Sequence, residues 1–169
     1  MARQISLREF QQSLAQRLRE AQAEGEQFSR LGVQAGDRYW LLKLDETDEV
    51  LPLPDISPVP LTRPWYLGLA NIRGVMANVV DLAAFLGAQA TPRTLECRLV
   101  LAAEHFQSYS GLVISKMMGL RNLNNLEALG QPDDRPWCGS AYRDGDGRTW
   151  RELNIGVLVA DESFLNVGA

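Results

Sequence analysis

Residues 64–87 form an apolar block interrupted by a single Arg-Gly pair, and this block constrains the fold more than any other stretch. Pro64 has no backbone N–H and a preset φ angle, so it suits the first position of a helical turn. Such a turn would place Trp65, Leu69 and Ile72 on one face. The sequence therefore predicts a short helical turn that ends at the Arg-Gly pair.

The second half of the block begins after Gly74. Residues 75–80 are rich in β-branched side chains and form a run short enough for a buried strand. Asp81 stands immediately before Leu82, where its carboxylate can accept hydrogen bonds from the first N–H groups of a helix. We therefore expect a strand followed by a brief capped helix.

Arg73 is the one cation of the block. An arginine fixed at a turn between two packed elements presents a rigid fork of five N–H donors. It can act as a structural clamp inside the fold or as a recognition residue for a partner. The residues alone leave both interpretations open.

Three motifs follow one another here: Trp-x-x-Gly from residue 65, Asn-Ile-Arg-Gly from residue 71 and Val-Val-Asp-Leu from residue 79. Their order and spacing resemble the CheW-like coupling proteins of bacterial chemosensory arrays. Within that family the chain looks most like the adaptors of type IV pilus twitching systems, through Pro64-Trp65, Pro60-x-Thr62 and the segment 137–164. Asn78 is a departure, because many relatives carry proline there.

The resemblance implies a mainly β fold of two fused small five-stranded, SH3-like barrels. The many short strands bounded by Gly and Pro agree with it. An N-terminal helical extension over residues 1–30 would precede a CheW-like domain over residues 31–169, and a short helix would close the chain.

By the same resemblance, the chain is a non-catalytic adaptor without a cofactor that acts in chemosensory control of twitching. It would couple the cytoplasmic tip of a methyl-accepting chemoreceptor to the regulatory domain of a CheA-like histidine kinase. A groove near Arg73 would hold the receptor tip, whose carboxylates suit an arginine fork. The partner-binding residues would be Arg73, Asn71, Gly68, Glu49 and Val50. Tight packing remains the alternative for Gly68, and an ordinary edge strand for Glu49 and Val50.

Composition limits the possible partners. A net charge of −4 and a pI near 5.1 argue against a nucleic-acid surface, which needs clustered Lys and Arg. No stretch has the apolar length of a bilayer-crossing helix or a signal peptide, so we expect a cytoplasmic protein. The resemblance adds recruitment to membrane-associated arrays. Cys97 and Cys138 lie far apart without histidines at metal-ligand spacing, which favours reduced packing thiols.

The N-terminal segment has the pattern of an amphipathic helix. Ser6 and Glu9 form a capping box, and apolar residues recur at positions 7, 10, 14 and 18 before Gly25 supplies a stop. The helix either covers an open barrel end or docks on a partner.

Elsewhere the alternation of apolar residues and the turn residues between them predict strands. The predicted strands are residues 31–33, 39–44, 47–53, 97–102, 109–115, 138–143 and 148–153. Residues 120–126 carry an apolar residue at every third position, which fits neither a clean strand nor a clean helix. The apolar pattern of residues 155–165 predicts a closing helix, with a strand extension over residues 157–159 as the alternative.

Two features that could suggest chemistry do not support it. The Asp-Gly-Asp-Gly run at residues 144–147 could suggest a calcium-binding EF-hand loop. Tyr142 and Leu153 occupy two positions where such a loop needs oxygen ligands, so we predict a hairpin turn instead. His105 has no nucleophile or second ligand nearby in the sequence. The main alternative to an adaptor is a small ligand-binding or catalytic barrel with a pocket between its two halves. A nucleic-acid-binding barrel conflicts with the acidic charge balance.

Overall fold

The structure is a computed structural model that describes residues 7–130 and 133–169. This part of the chain contains eleven β-strands and four α-helices. The strands are β1 Ser29–Ala35, β2 Arg38–Lys43, β3 Thr47–Pro52, β4 Tyr66–Ile72, β5 Val75–Asp81, β6 Arg98–Ala102, β7 Ser110–Ile114, β8 Lys116–Asn122, β9 Glu127–Gly130, β10 Cys138–Arg143 and β11 Thr149–Leu153. The α-helices are α1 Leu7–Phe28, α2 Leu82–Phe85, α3 Ile155–Leu158 and α4 Glu162–Leu165. Short 3-10 helices cover Leu44–Glu46, Glu104–Phe106 and Leu123–Asn125.

The first sheet has six strands in the order β8-β1-β2-β11-β10-β9. Only the β2–β11 pair in this sheet is parallel; the other pairs are antiparallel. The β1–β2 hairpin pairs Ala35 with Arg38 across Gly36 and Asp37, as the turn residues predict. Gly36 has φ +63°, which the hairpin turn requires.

The second sheet has five strands in the order β3-β6-β7-β5-β4, with β5 and β7 parallel. Strands β3 and β4 lie at opposite edges, yet the chain just after β3 bridges to β4. Ser57 and Leu69 exchange two backbone hydrogen bonds of 2.8 and 2.9 Å. The sheet is therefore strongly curled, although within the described residues neither strand order closes into a barrel. The predicted mainly β fold is confirmed, and its strands form a six-stranded and a five-stranded sheet.

Two hydrophobic cores hold this arrangement. The larger one joins the two sheets and includes Trp40, Leu82, Ile114 and Leu153, each 0% exposed. The smaller one consists of Ala70, Val79, Leu99 and Val113 together with partly buried neighbours. Successive residues of the five-stranded sheet belong to different cores, for example Val79 and Val80, so both of its faces are covered.

The helical turn predicted from Pro64 is wrong, because this segment forms strand β4. The register of β4 against β5 shifts between Tyr66 and Gly68, which is the mark of a β-bulge. A bulge inserts one extra residue and so interrupts the period-2 pattern of the strand. The spacing of Trp65, Leu69 and Ile72 therefore matched a helix by coincidence.

The rest of the block agrees with the sequence. Residues 75–80 lie in β5, and Asp81 is the N-cap of α2, where its side chain accepts a hydrogen bond from the Ala84 backbone N–H. Asp81 is only 2% exposed.

Two other predictions need correction. Residues 120–126, for which no regular element was predicted, comprise the end of β8, a 3-10 turn and the bend at Leu126 that precedes β9. Strand β8 is mostly exposed, so burial imposes no alternation on its sequence. The single closing helix is instead two four-residue helices, and Asp161 caps the second by accepting from Ser163 N at 2.9 Å.

Helix α1 also differs from its prediction. The capping box of Ser6 and Glu9 lies outside the residues whose side chains the structure describes. The helix continues through Gly25 to Phe28, since one exposed glycine costs only about 1 kcal/mol in a helix. Residues 11–22 are exposed, including Leu14 (49%) and Leu18 (59%). These residues do not cover a barrel end, and docking on a partner stays a prediction.

Cys97 and Cys138 are both buried. The thiol of Cys97 donates a hydrogen bond to the Pro92 carbonyl oxygen at 3.1 Å, and burial raises the pKa of the Cys138 thiol. No helix within residues 7–130 and 133–169 combines the length and the apolar character that crossing a bilayer requires.

The hairpin turn predicted at residues 144–147 connects β10 to β11, and hydrogen bonds to the Asp144 side chain organise it. One carboxylate oxygen accepts the backbone N–H groups of Asp146 and Arg148, each at 2.9 Å, and the other accepts Trp150 Nε1–H at 2.9 Å. Burial alone would raise the pKa of Asp144, but these hydrogen bonds outweigh it, and the pKa lies below its ordinary value. The aspartate is therefore a structural acceptor for the turn and for a buried tryptophan.

Asp144→Asn is expected to lower the free energy of unfolding at pH 7 by about 2 kcal/mol, because an amide cannot replace both acceptor oxygens. The pKa of Asp144 is lower in the folded state than in the unfolded state. Its stabilisation is thus fully present above the unfolded value of about 4 and is lost as the pH falls through the folded value. Denaturation from pH 7 down to about pH 3 should show the difference between variant and wild type shrinking. Asp146→Asn, at an exposed position of the same turn, is the control, and a difference that does not change with pH would contradict this role.

Candidate partner-binding site

The β4–β5 hairpin places Arg73 at its tip. Ile72 pairs with Val75, which leaves a two-residue turn in which Arg73 has φ +52° and Gly74 has φ +87°. Two positive φ angles in a two-residue hairpin loop are typical of a type I′ turn. Asn71 Oδ1 accepts the Gly74 N–H at 2.8 Å and so fixes the turn. A non-glycine residue in the left-handed region is strained, and such strain concentrates at functional sites.

The Arg73 side chain points outward but has a partner. Its Nη2 donates to both carboxylate oxygens of Glu49 at 2.5 Å, and the two side chains are 71% and 31% exposed. The hydrogen bond and then the charge of Glu49 raise the pKa of Arg73. The pair connects edge strand β3 to the turn beside edge strand β4. With the residues that the structure describes, Arg73 Nε and Nη1 form no hydrogen bond.

A cleft of about 230 Å³, hereafter the Arg73 cleft, lies beside this pair. Its lining combines apolar residues with the charged side chains of Asp48, Arg73 and Glu104. Tyr109 also lines it, 54% exposed and with φ +48°, so two strained non-glycine residues meet at one cleft. Pockets that enclose drug-sized ligands are usually about 300 to 1,000 Å³. The Arg73 cleft is better suited to a side chain from a protein surface.

The five residues predicted to bind partners have different surroundings. Arg73, Asn71 and Glu49 converge at the turn through the hydrogen bonds described above. Gly68 is buried, and a Cβ there would lie 2.1 Å from the Ser57 carbonyl oxygen, so its packing alternative has direct support. Val50 is partly buried against the larger core.

Sequence reasoning missed Asp48, Glu104 and Tyr109 as lining residues of the Arg73 cleft. They come from β3 and from the connection between β6 and β7, far from Arg73 in the chain. The one available signal was an aromatic residue at the exposed start of a strand.

The alternative prediction was a ligand pocket between the two halves of the fold. A second cavity, of about 730 Å³, is the place to look for such a pocket. Small residues and amides line much of it, and Lys116 and Glu96 form an ion pair of 3.1 Å at its edge. Among the described residues, no three His, Cys, Asp or Glu side chains converge as a metal site requires.

Comparison with known proteins identifies the family. A family model for the CheW-like domain matches residues 30–163. Protein PilI of Pseudomonas aeruginosa is 30% identical over 157 residues, covering 87% of this chain and 84% of PilI. The chemotaxis protein CheW of Thermotoga maritima is 23% identical over 137 residues, covering 80% of this chain and 89% of that protein.

A solved structure supports the same fold. The scaffolding protein TtCheW of Thermoanaerobacter tengcongensis superposes with a TM-score of 0.60 at 15% identity, over 74% of this chain and 87% of TtCheW. The family match covers most of the chain, from β1 to α4. The chain therefore belongs to the CheW-like family, whose members are non-catalytic scaffold proteins of chemosensory signalling.

Proposed function

We propose that this protein is the adaptor that couples a chemoreceptor to a CheA-like histidine kinase in a system controlling type IV pilus twitching. The family match and the 30% identity to PilI over most of both chains support this. It would work in the cytoplasm and join membrane-associated arrays. We also propose a division into a helical extension, residues 1–30, and a CheW-like domain, residues 31–169, supported by the start of the family match at residue 30.

The receptor site in this proposal is the Arg73 cleft. The observation that carries it is a 71% exposed arginine, fixed at the tip of a strained turn, with N–H groups free of described partners beside a partly apolar cleft. Carboxylates of a helical receptor tip would bind these N–H groups, since charge-assisted hydrogen bonds to Arg are strong and directional. Glu49 and Asn71 would orient the arginine. Gly68 and Val50 would act by holding β4 and β3 in place.

The kinase regulatory domain would bind a different surface from the receptor tip, because a coupling protein must hold both partners at once. Met76 of β5 is 50% exposed, does not line the Arg73 cleft and offers apolar contact area close to the turn. Interfaces of this kind combine an apolar centre with a polar rim.

Arg73→Glu is expected to weaken binding of a chemoreceptor cytoplasmic fragment roughly thirtyfold, as for an interface hot spot. Calorimetric titration measures the affinity, while circular dichroism and melting check the fold. Arg93→Glu makes the same charge change at an exposed position outside the Arg73 cleft and should bind normally. Unchanged binding by the Arg73 variant would contradict the proposed site.

The double variant Arg73→Glu with Glu49→Arg separates recognition from clamping. It restores an ion pair between β3 and the turn, but the positive charge now lies on β3 and the negative charge on the turn. If Arg73 contacts the receptor, binding stays weak in the double variant. Recovery of binding would show instead that the arginine acts only as a clamp on Glu49.

A further inference from the structure

Four aromatic side chains meet where the two sheets adjoin, away from the Arg73 cleft. Trp65 packs edge-on against Phe85 with ring centroids 5.0 Å apart, and Phe85 contacts Trp137 at 5.8 Å and Phe164 at 5.5 Å. Trp137 and Phe164 are each 4% exposed, whereas Trp65 and Phe85 are only partly buried. The cluster is therefore continuous with the core on one side and reaches the surface on the other.

The exposed side of this cluster forms a cavity of about 450 Å³, hereafter the aromatic pocket. Trp65, Phe85 and Trp137 line it, and so do two arginines, Arg63 and Arg135. The described residues that line it include no Asp or Glu. The aromatic pocket therefore combines aromatic walls with two arginines, in a protein whose net charge is −4.

Both arginines are held in place by bonds that leave other N–H groups available. Arg63 donates from Nε to the Asn166 carbonyl oxygen at 3.0 Å, and it forms no ion pair with any residue in the described ranges. Arg135 lies over the Trp137 ring at 4.5 Å and donates from Nε and Nη2 to Asp133. The hydrogen bonds from Arg135 lower the pKa of Asp133 to about 2, so this pair stays ionised at neutral pH. Fixed guanidinium groups lose little entropy when they bind a carboxylate.

We infer that the aromatic pocket binds an acidic peptide segment of a partner protein, with an aromatic side chain of the peptide in the pocket and its neighbouring carboxylates on Arg63 and Arg135. Aromatic rings stack favourably at centroid distances like those within the cluster. Trp and Arg are also the residue types that most often dominate binding energy at protein interfaces. This inference stands apart from the Arg73 cleft, since the two sites share no lining residue.

Titration of the full ¹⁵N-labelled chain with acetyl-Glu-Phe-Glu-amide tests the inference. The indole N–H signals of Trp65 and Trp137 should shift, because both rings line the pocket. Acetyl-Gln-Phe-Gln-amide removes the carboxylates and acetyl-Glu-Ala-Glu-amide removes the aromatic anchor. Each control peptide is expected to bind at least about tenfold more weakly, the usual effect of losing charged hydrogen bonds or a buried anchor.

Two protein variants make the result specific. Arg63→Glu should weaken the binding of acetyl-Glu-Phe-Glu-amide at least about tenfold. Arg93→Glu makes the same charge change at an exposed position outside the aromatic pocket, and it should leave the binding of this peptide unchanged. Equal effects of the two variants, equal binding of the three peptides, or no shift at Trp65 would each overturn the inference. Phenylacetate binding as tightly as the first peptide would overturn the assignment to a protein segment and indicate a small-molecule site.

Discussion

Gly68→Ala is expected to lower the free energy of unfolding by about 3 to 5 kcal/mol. The Cβ would lie 2.1 Å from the Ser57 carbonyl oxygen and 2.8 Å from its carbonyl carbon. The obstacle is backbone, and it cannot easily withdraw because Ser57 exchanges two hydrogen bonds with Leu69. Gly68 also has φ +129°, a conformation that side chains disfavour. Urea denaturation followed by circular dichroism measures the loss.

Gly74→Ala is the matched control for this prediction. Gly74 lies on the same hairpin with φ +87°, but nothing lies within 4 Å of the position of its Cβ. This substitution carries the backbone strain without the clash and should cost about 1 kcal/mol. Similar losses for the two variants would show that strain dominates and that the contact with Ser57 is unimportant. A large loss at Gly68 alone would support a packing role, in which Gly68 lets the Ser57 backbone approach β4.

Elements whose formation depends on local chemistry were predictable from the sequence. The β1–β2 hairpin follows from Gly36 and Asp37 in its turn, and the α2 cap follows from Asp81. Strand β5 was evident because both faces of its sheet are covered, so its core residues form a continuous apolar run. These signals lie within a few residues of the element that they specify.

Elements shaped by distant packing were not predictable. The bulge at Gly68 in β4 exists because the segment around Ser57 approaches the strand, and that contact has no signature in the local sequence. Strand β8 has a similar irregularity opposite Gly32 and Val33. Its outward residues, such as Leu120 at 67% exposure, face no core that would impose a pattern.

The candidate site divides in the same way. Arg73 and Asn71 belong to one turn, so the sequence could place them together. Glu49 was identified through the family resemblance, and it reaches Arg73 because the five-stranded sheet curls until its two edges meet. Tyr109 and Glu104 reach the Arg73 cleft because β7 pairs with β5, and periodicity cannot predict which distant strands pair.

The two proposed surfaces suit a scaffold. The Arg73 cleft is formed by the five-stranded sheet and its connections, whereas the aromatic pocket lies where the two sheets meet. Since they share no lining residue, one molecule could engage two partners without competition. Charge reversal at Arg73 and at Arg63 should accordingly affect different ligands.

Asp81→Ala is expected to lower the free energy of unfolding by about 3 to 4 kcal/mol, the loss of a helix cap plus charged hydrogen bonds in a buried position. One carboxylate oxygen accepts the Ala84 N–H at 3.3 Å and the Thr91 hydroxyl at 2.7 Å, and the other accepts the Thr91 N–H at 2.7 Å. The aspartate thus fastens α2 to the link that follows it. Alanine would leave these donors without an acceptor in a site where the side chain is 2% exposed. Thermal and urea denaturation measure the loss.

Asp161→Ala provides the comparison, because Asp161 caps α4, another four-residue helix, but is not buried. Among the described residues its side chain accepts hydrogen bonds only from Ser163, so removing the carboxylate should cost about 1 kcal/mol, the usual value of an accessible cap. The loss of unfolding free energy for Asp81→Asn should lie between those of the two alanine variants. An amide keeps one acceptor oxygen for the helix and loses the other, which accepts from Thr91. If Asp81→Ala were no more damaging than Asp161→Ala, the contacts with Thr91 would contribute little. The position of α2 would then depend on Leu82, which is 0% exposed in the larger core.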